Sequence, residues 1–200
     1  MTKWIDPLLL KPTQFCLGFN EIDEKFSKMQ KMKKEDLQKY LEEKVVPVIL
    51  GPNDTYFMID RHHLVRCCWE LGIPKVFVNE ISDLSHLTPD EFWEVVKKAK
   101  WCYLFDQFGN GPHHESLLPQ TIRTMNDDPY RSLAFFLRDE KVYNKQGNKV
   151  PFIEFYWANY LRKKIKFEPG KDGFKKMLKV AKEVIKKDLD AQKLPGYKSE

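Results

Sequence analysis

Four of the five histidines stand as two adjacent pairs, His62-His63 and His113-His114. The first pair follows Asp60-Arg61, where an apolar run ends and a helical pattern begins. Backbone N–H groups at a helix start lack intrahelical partners, and the helix dipole there favours an anion. Arg61, Arg66 and both imidazoles add donors, which makes phosphate the anion that best suits the cluster. Asp60 would then hold one imidazole in a fixed tautomer or cap the helix. His62, His63 and Asp60 would orient and protonate phosphate oxygens, with Arg61 and Arg66 balancing charge. The plain alternative is a buried, hydrogen-bonded and inert pair of histidines. Asp60-Arg61-His62-His63 contains no glycine, so this is not a Gly-rich phosphate loop.

Two further clusters carry chemistry. Gly109-Asn110-Gly111-Pro112-His113-His114-Glu115 is loop-like and either closes over a ligand or is simply solvated. Adjacent histidines lack the spacing of a shared metal site, so a divalent ion fits better as a companion of phosphate, held by acids. The run Asp127-Asp128-Pro129-Tyr130-Arg131-Ser132 supplies such acids, with Glu154 downstream. One Asp caps the helix that Pro129 opens. The other acid, Arg131 and Glu154 form a partly buried ion pair, or Asp127, Asp128 and Glu154 are metal ligands or a general base. Arg131 would then add a second phosphate contact.

The elements that must position these residues alternate. Strands are expected over 13–18, 46–50, 55–59, 75–79 and 101–105, with turn chemistry at Gly51-Pro52-Asn53-Asp54. Asn20 should cap a helix facing inward through Ile22, Phe26 and Met29, and a second helix covers 34–44. The helix after His63 is closed by Gly72, and Thr88-Pro89-Asp90-Glu91 is a capping box. Residues 106–120 form a long loop, and helices begin at Asp128 and Phe152. After Glu168-Pro169-Gly170, a final helix over 171–194 places Phe174, Met177, Leu178, Ala181, Val184 and Ile185 on one face. The division expected is an α+β core over 1–98, a small mixed sheet with flanking helices. A helical extension over 99–200 would pack on it as one continuous domain.

Composition narrows the class. Of 200 residues, 42% are hydrophobic, 14% aromatic and 32% charged, which excludes intrinsic disorder. No apolar stretch approaches the roughly 18 residues of a membrane span, so a soluble, cytoplasmic protein without membrane partners is expected. The four cysteines suggest no disulfide framework and no zinc motif. Net charge is +5, but residues 162–200 carry 13 Lys or Arg against 6 Asp or Glu. The first 161 residues hold 21 basic and 23 acidic residues, too few cations for tight, sequence-independent DNA binding. The lysines of the final helix are a solvated face or a low-specificity contact to a phosphate backbone.

The run Val46-Pro47-Val48-Ile49-Leu50-Gly51-Pro52-Asn53 followed by Tyr56-Phe57-Met58-Ile59-Asp60-Arg61-His62-His63 resembles the ParB/sulfiredoxin superfamily. More narrowly, it is similar to the ParB-like nuclease branch with an Asp-x-His-His signature. Leu10-Lys11-Pro12-Thr13-Gln14, Asp127-Asp128-Pro129-Tyr130-Arg131-Ser132-Leu133-Ala134 and Glu154-Phe155-Tyr156-Trp157 extend the likeness over residues 8 to 165. The resemblance implies a nucleotide-phosphate pocket at the turn after the hairpin, holding ATP or CTP with magnesium or manganese. Its ligand would be a nucleotide or a nucleic-acid phosphodiester, and its activity that of a phosphodiesterase or nuclease. A non-catalytic nucleotide-sensing or DNA-associated module is the alternative. His63 matches the second shared position of the turn, whereas His62 stands where sulfiredoxins carry cysteine, which excludes their sulfinic-acid repair. Arg61 replaces a glycine and Leu64 replaces the phosphate-binding arginine, with Arg66 one turn on. Gln14 stands where free serine kinases of the superfamily place a catalytic Glu, which disfavours phosphotransfer of that kind.

Overall fold

A computed structural model of the chain describes residues 1–145 and 150–198. It resolves into two compact units, one of Met1–Leu17 with Ile22–Asn126, the other of Gly18–Glu21 with Asp127–Glu200. Residues 99–126 thus fall with the first unit.

The first unit is built on a five-stranded mixed sheet in the order β1-β6-β4-β5-β2. Its strands are β1 (Thr2–Ile5), β2 (Leu10–Pro12), β4 (Val46–Gly51), β5 (Thr55–Met58) and β6 (Val76–Asp83), with a two-residue β3 at Cys16–Leu17. The central strand β4 runs parallel to β6 and antiparallel to β5, while β2 joins β5 in parallel. Val46, Val48 and Ile49 are fully buried, as expected of a strand covered on both faces. The 46–50 and 55–59 strands therefore form as the sequence predicts, around a 3-10 turn at Pro52–Asp54. Asn53 takes φ 56° in that turn, a conformation that Asn tolerates better than most residues. Gly51 is required by contact, because a Cβ there would sit 2.8 Å from the Phe57 and Phe92 rings.

Three expectations need correction. Strands β1 and β2 lie in a lead that carries no alternating pattern. Their identity comes from pairing with β6 and β5, which no local signal announces. Residues 101–105 are not a strand, since Tyr103 makes only an isolated bridge to Gln14. Asn20 lies inside helix α1 (Phe19–Met29) instead of capping it, and the cap comes from Asp127, whose Oδ1 accepts the Phe19 N–H at 2.8 Å.

Helix α2 spans Lys34–Glu43, α3 His62–Glu70 and α4 Pro89–Lys98. The Thr88 capping box is present, with the Glu91 N–H donating to Thr88 Oγ1 and the Thr88 N–H donating to Glu91 Oε2. Gly72, at φ 68°, closes the α3 end as a left-handed cap. A two-residue strand β7 is formed by Asn126–Asp127, and the second unit holds α5 (Pro129–Asp139), α6 (Ile153–Lys164), α7 (Gly170–Lys187) and α8 (Leu189–Gln192).

Leu133, Leu137, Trp157, Leu161, Met177, Ala181 and Ile185 form the core of that unit. Tyr143 stacks on Trp157 at 4.3 Å between ring centroids, and its hydroxyl donates to the Ala134 carbonyl at 2.8 Å. The apolar stripe of the terminal helix therefore packs against α5 and joins one core with residues of α6, as its periodicity predicts. That helix is broken where 171–194 was expected to be continuous. Asp188 leaves helical geometry and accepts the Asp190 N–H at 2.9 Å, starting α8 afresh. Among the described residues the four cysteines form no disulfide, and burial pushes the Cys67 thiol up to about 12. No helix of the described residues is long and apolar enough to cross a membrane.

Candidate functional site

The turn between β5 and α3 owes its shape to one residue. Arg61 precedes the first helical residue with φ 63° and ψ 24°, left-handed values that a non-glycine residue adopts only under constraint. Asp60 supplies part of that constraint, its Oδ1 accepting the Arg61 N–H at 2.6 Å. This carboxylate thus holds the backbone of the turn, in place of the imidazole or helix-cap partner expected of it. The Arg61 carbonyl accepts the N–H groups of Leu64 at 2.9 Å and Val65 at 3.1 Å, which starts α3.

Both imidazoles are buried, His62 at 3% and His63 at 7% exposure. His62 Nε2 accepts the Thr13 N–H at 3.2 Å, which leaves the ring proton on Nδ1. Thr13 is held in turn by its hydroxyl, which donates to the Met58 carbonyl at 2.8 Å. In the sequence Thr13 stands only within the Leu10-Lys11-Pro12-Thr13-Gln14 run, with nothing to mark it as a partner of His62.

A cavity of about 360 Å³ opens beside the turn, walled by Thr2, Val45, Pro47, Asp60, Arg61 and Asn79. Asp60 and Arg61 therefore line an open hollow in the surface. Arg66 is engaged elsewhere. Its Nε donates to Glu70 at 2.7 Å, its Nη1 to the carbonyls of Ile122 and Arg123, and its guanidinium lies over the Trp69 ring. Expected as a phosphate contact, it ties α3 to residues 122–123. Leu64 and Gln14 are buried, and Gln14 Nε2 donates to the Cys16 carbonyl at 3.0 Å.

The second histidine pair belongs to a self-contained loop. Asp106 Oδ1 accepts the N–H groups of Phe108 and Asn110, both at 2.9 Å, and its Oδ2 meets His113 Nε2 at 3.2 Å. Burial raises the Asp106 carboxyl, but the Asn110, His113 and Phe108 hydrogen bonds outweigh it and hold the group below the ordinary range. His114 is more open and starts a 3-10 turn, its Nδ1 at 2.8 Å from Ser116 Oγ. Residues 13–15 touch both pairs. Thr13 N–H reaches His62, the Thr13 carbonyl accepts the Tyr103 N–H, and the Phe15 ring packs edge-on to His113 at 5.3 Å.

In the second unit the charged residues partner one another. Asp127 caps α1, and Asp128 caps α5 by accepting the Tyr130 N–H at 3.0 Å. Asp128 Oδ2 also pairs with Arg162 Nη2 at 2.6 Å; burial raises this carboxyl in spite of Arg162. Arg131 pairs with Glu21 at 3.2 Å and lies over the Phe155 ring, and Glu154 pairs with Arg138. Each acid proposed as a metal ligand thus has a structural role. Among the described residues no three His, Cys, Asp or Glu side chains are gathered as a metal ion would need. Asp127, Asp128 and Glu154 do not fit a metal.

A family model described as "Putative ParB-like nuclease" matches residues 5–163. The chain belongs to the ParB-like nuclease family. The crystal structure of protein Atu1540 from Agrobacterium tumefaciens resembles this ParB-like chain with a TM-score of 0.88. The two are 34% identical, over 100% of this chain and 99% of that one. No curated protein matches it. The mixed α+β architecture of the ParB-like chain thus recurs in a solved relative over the whole length compared.

Proposed function

We propose that this ParB-like chain binds the phosphate of a nucleotide or a nucleic acid at the Asp60-Arg61-His62-His63 turn. The observation that carries the reading is the cavity onto which Arg61 opens from a left-handed position at the start of α3. Arg61 supplies a permanent positive charge with several donors, and the dipole of α3 adds to it. Asp60 keeps the Arg61 amide fixed, and His62 fastens the helix start to Thr13. In a phosphodiesterase built on this turn, water would attack phosphorus and give its proton to Asp60 as the bond to the leaving oxygen breaks, Arg61 would neutralise a non-bridging oxygen, and His63, buried behind the cavity wall, would protonate the leaving oxygen through a relay. A binding module without turnover is the second reading, favoured by the burial of both imidazoles.

Thermal denaturation of wild type, Arg61→Ala and His63→Ala separates the two. Probes are ATP, CTP and a short DNA duplex, each with and without magnesium or manganese, alongside turnover of bis(p-nitrophenyl) phosphate. A ligand at 100 times its Kd should stabilise wild type by about 2.7 kcal/mol. Arg61→Ala should abolish that gain. Turnover that disappears in His63→Ala while stabilisation survives identifies the enzyme, and stabilisation with no turnover identifies the module. No stabilisation by any probe rejects phosphate binding at this turn.

A further inference from the structure

The first unit contains a second cavity, of about 280 Å³, that shares no wall residue with the one at Asp60 and Arg61. One wall is aromatic. Phe57, Phe92 and Trp93 pack on one another with centroids 4.8 to 5.5 Å apart, in tilted and edge-on contacts. The bare backbone of Gly51 allows this, since a Cβ there would meet both Phe57 and Phe92. Phe57 and Trp93 are half-buried and give that wall ring surface for a flat guest, with the buried Phe92 packed behind them.

The charge at the cavity is unequal. Lys11 Nζ donates to Gln120 Oε1 at 2.9 Å, and Gln120 Nε2 donates to the Leu118 carbonyl at 3.1 Å. A neutral amide therefore holds the ammonium in place without cancelling its charge. The carboxylate that lines the same cavity, Glu115, is drawn to Lys97 Nζ at 3.5 Å. A cation without a carboxylate partner among these contacts thus stands at the cavity beside an aromatic wall. Pockets for drug-sized ligands run from about 300 to 1,000 Å³, so the guest is small, one or two rings.

We propose that this cavity binds a small planar aromatic carboxylate, with its ring against Phe57 and Trp93 and its carboxylate on Lys11. The proposal stands independently of phosphate binding at Arg61. Its test uses the full chain with indole-3-acetate as probe and indole-3-acetamide as the neutral match, by calorimetric titration and backbone amide NMR. Saturable binding is expected, at least fivefold tighter for the acid than for the amide, with shifts concentrated at Lys11, Trp93 and Gln120. Lys11→Met should erase the preference for the acid while leaving the affinity for the amide unchanged. Trp93→Ala should weaken both ligands at least fivefold. If Trp93→Ala does not fold, the Lys11→Met comparison decides alone. Absence of saturable binding, equal affinity for acid and amide, or a preference that survives Lys11→Met overturns the proposal.

Discussion

The turn at Asp60 to His63 and the cluster of Asp127, Asp128, Arg131 and Glu154 look alike as sequence. Each sets acids and an arginine at the start of a helix. As structure they part company. Arg61 lines a cavity, whereas Arg131 pairs with Glu21, Arg138 with Glu154 and Arg162 with Asp128. In the second cluster the chain itself supplies the counter-charges of Asp128, Arg131 and Glu154, and both adjacent aspartates cap helices. The lesson is that charge density marks a site only where the charges are not already answered from within.

The largest effect that would test this contrast lies at Asp128. Asp128→Ala removes a helix cap and strands the Arg162 guanidinium, so urea denaturation should show a loss of about 3–5 kcal/mol. A loss under about 1 kcal/mol would mean the cluster is not the internal scaffold described here. His62→Ala should come next, at about 1–3 kcal/mol, because it leaves the buried Thr13 N–H without its acceptor. Arg61→Ala, at the cavity wall, should stay within about 0.5 kcal/mol of wild type by the same assay. A large loss there would make the turn as structural as the second cluster.

Gly51→Ala gives a measure of damage in the first unit that spares the turn. Overpacking Phe57 and Phe92 should cost about 1–3 kcal/mol by thermal melting, while the nucleotide binding proposed for Arg61 should be retained. The smallest effect concerns the second histidine pair. The Asp106 carboxyl lies below its ordinary value when folded, so the folded chain binds fewer protons there. Its contribution is fully present above the unfolded value of about 3.9 and is lost as pH falls through the lower folded value. Stability curves of wild type and Asp106→Asn should therefore converge below about pH 4 and separate above it.

Much of the architecture was legible because local signals agreed with the fold. The buried run at Val46 to Leu50, the Asn53 turn, the Thr88 box and the apolar stripe of α7 each required nothing distant. Strands β1 and β2 were not legible, because a short strand is defined by its partner and their partners lie far along the chain. The site was half legible. Asp60-Arg61-His62-His63 stood out by composition, and the family likeness agreed with it. Which of the four faces the cavity was not written in the sequence. Side-chain direction followed from the left-handed Arg61, and an arginine at φ 63° carries no compositional mark. The roles of Asp127 and Arg66 were hidden for a related reason, since their partners Phe19, Ile122 and Arg123 are remote in sequence.

The bond from the Phe19 N–H to Asp127, which spans 108 positions, also has a consequence for how the chain is made. On the ribosome, the first turn of α1 emerges long before its acceptor is synthesised. Until Asp127 leaves the tunnel, that turn has only local interactions, and closing so long a loop carries an entropy cost that local contacts do not repay. The nascent chain therefore holds an uncapped α1 through most of translation. Its N-terminal end becomes a finished helix only when the start of α5 arrives.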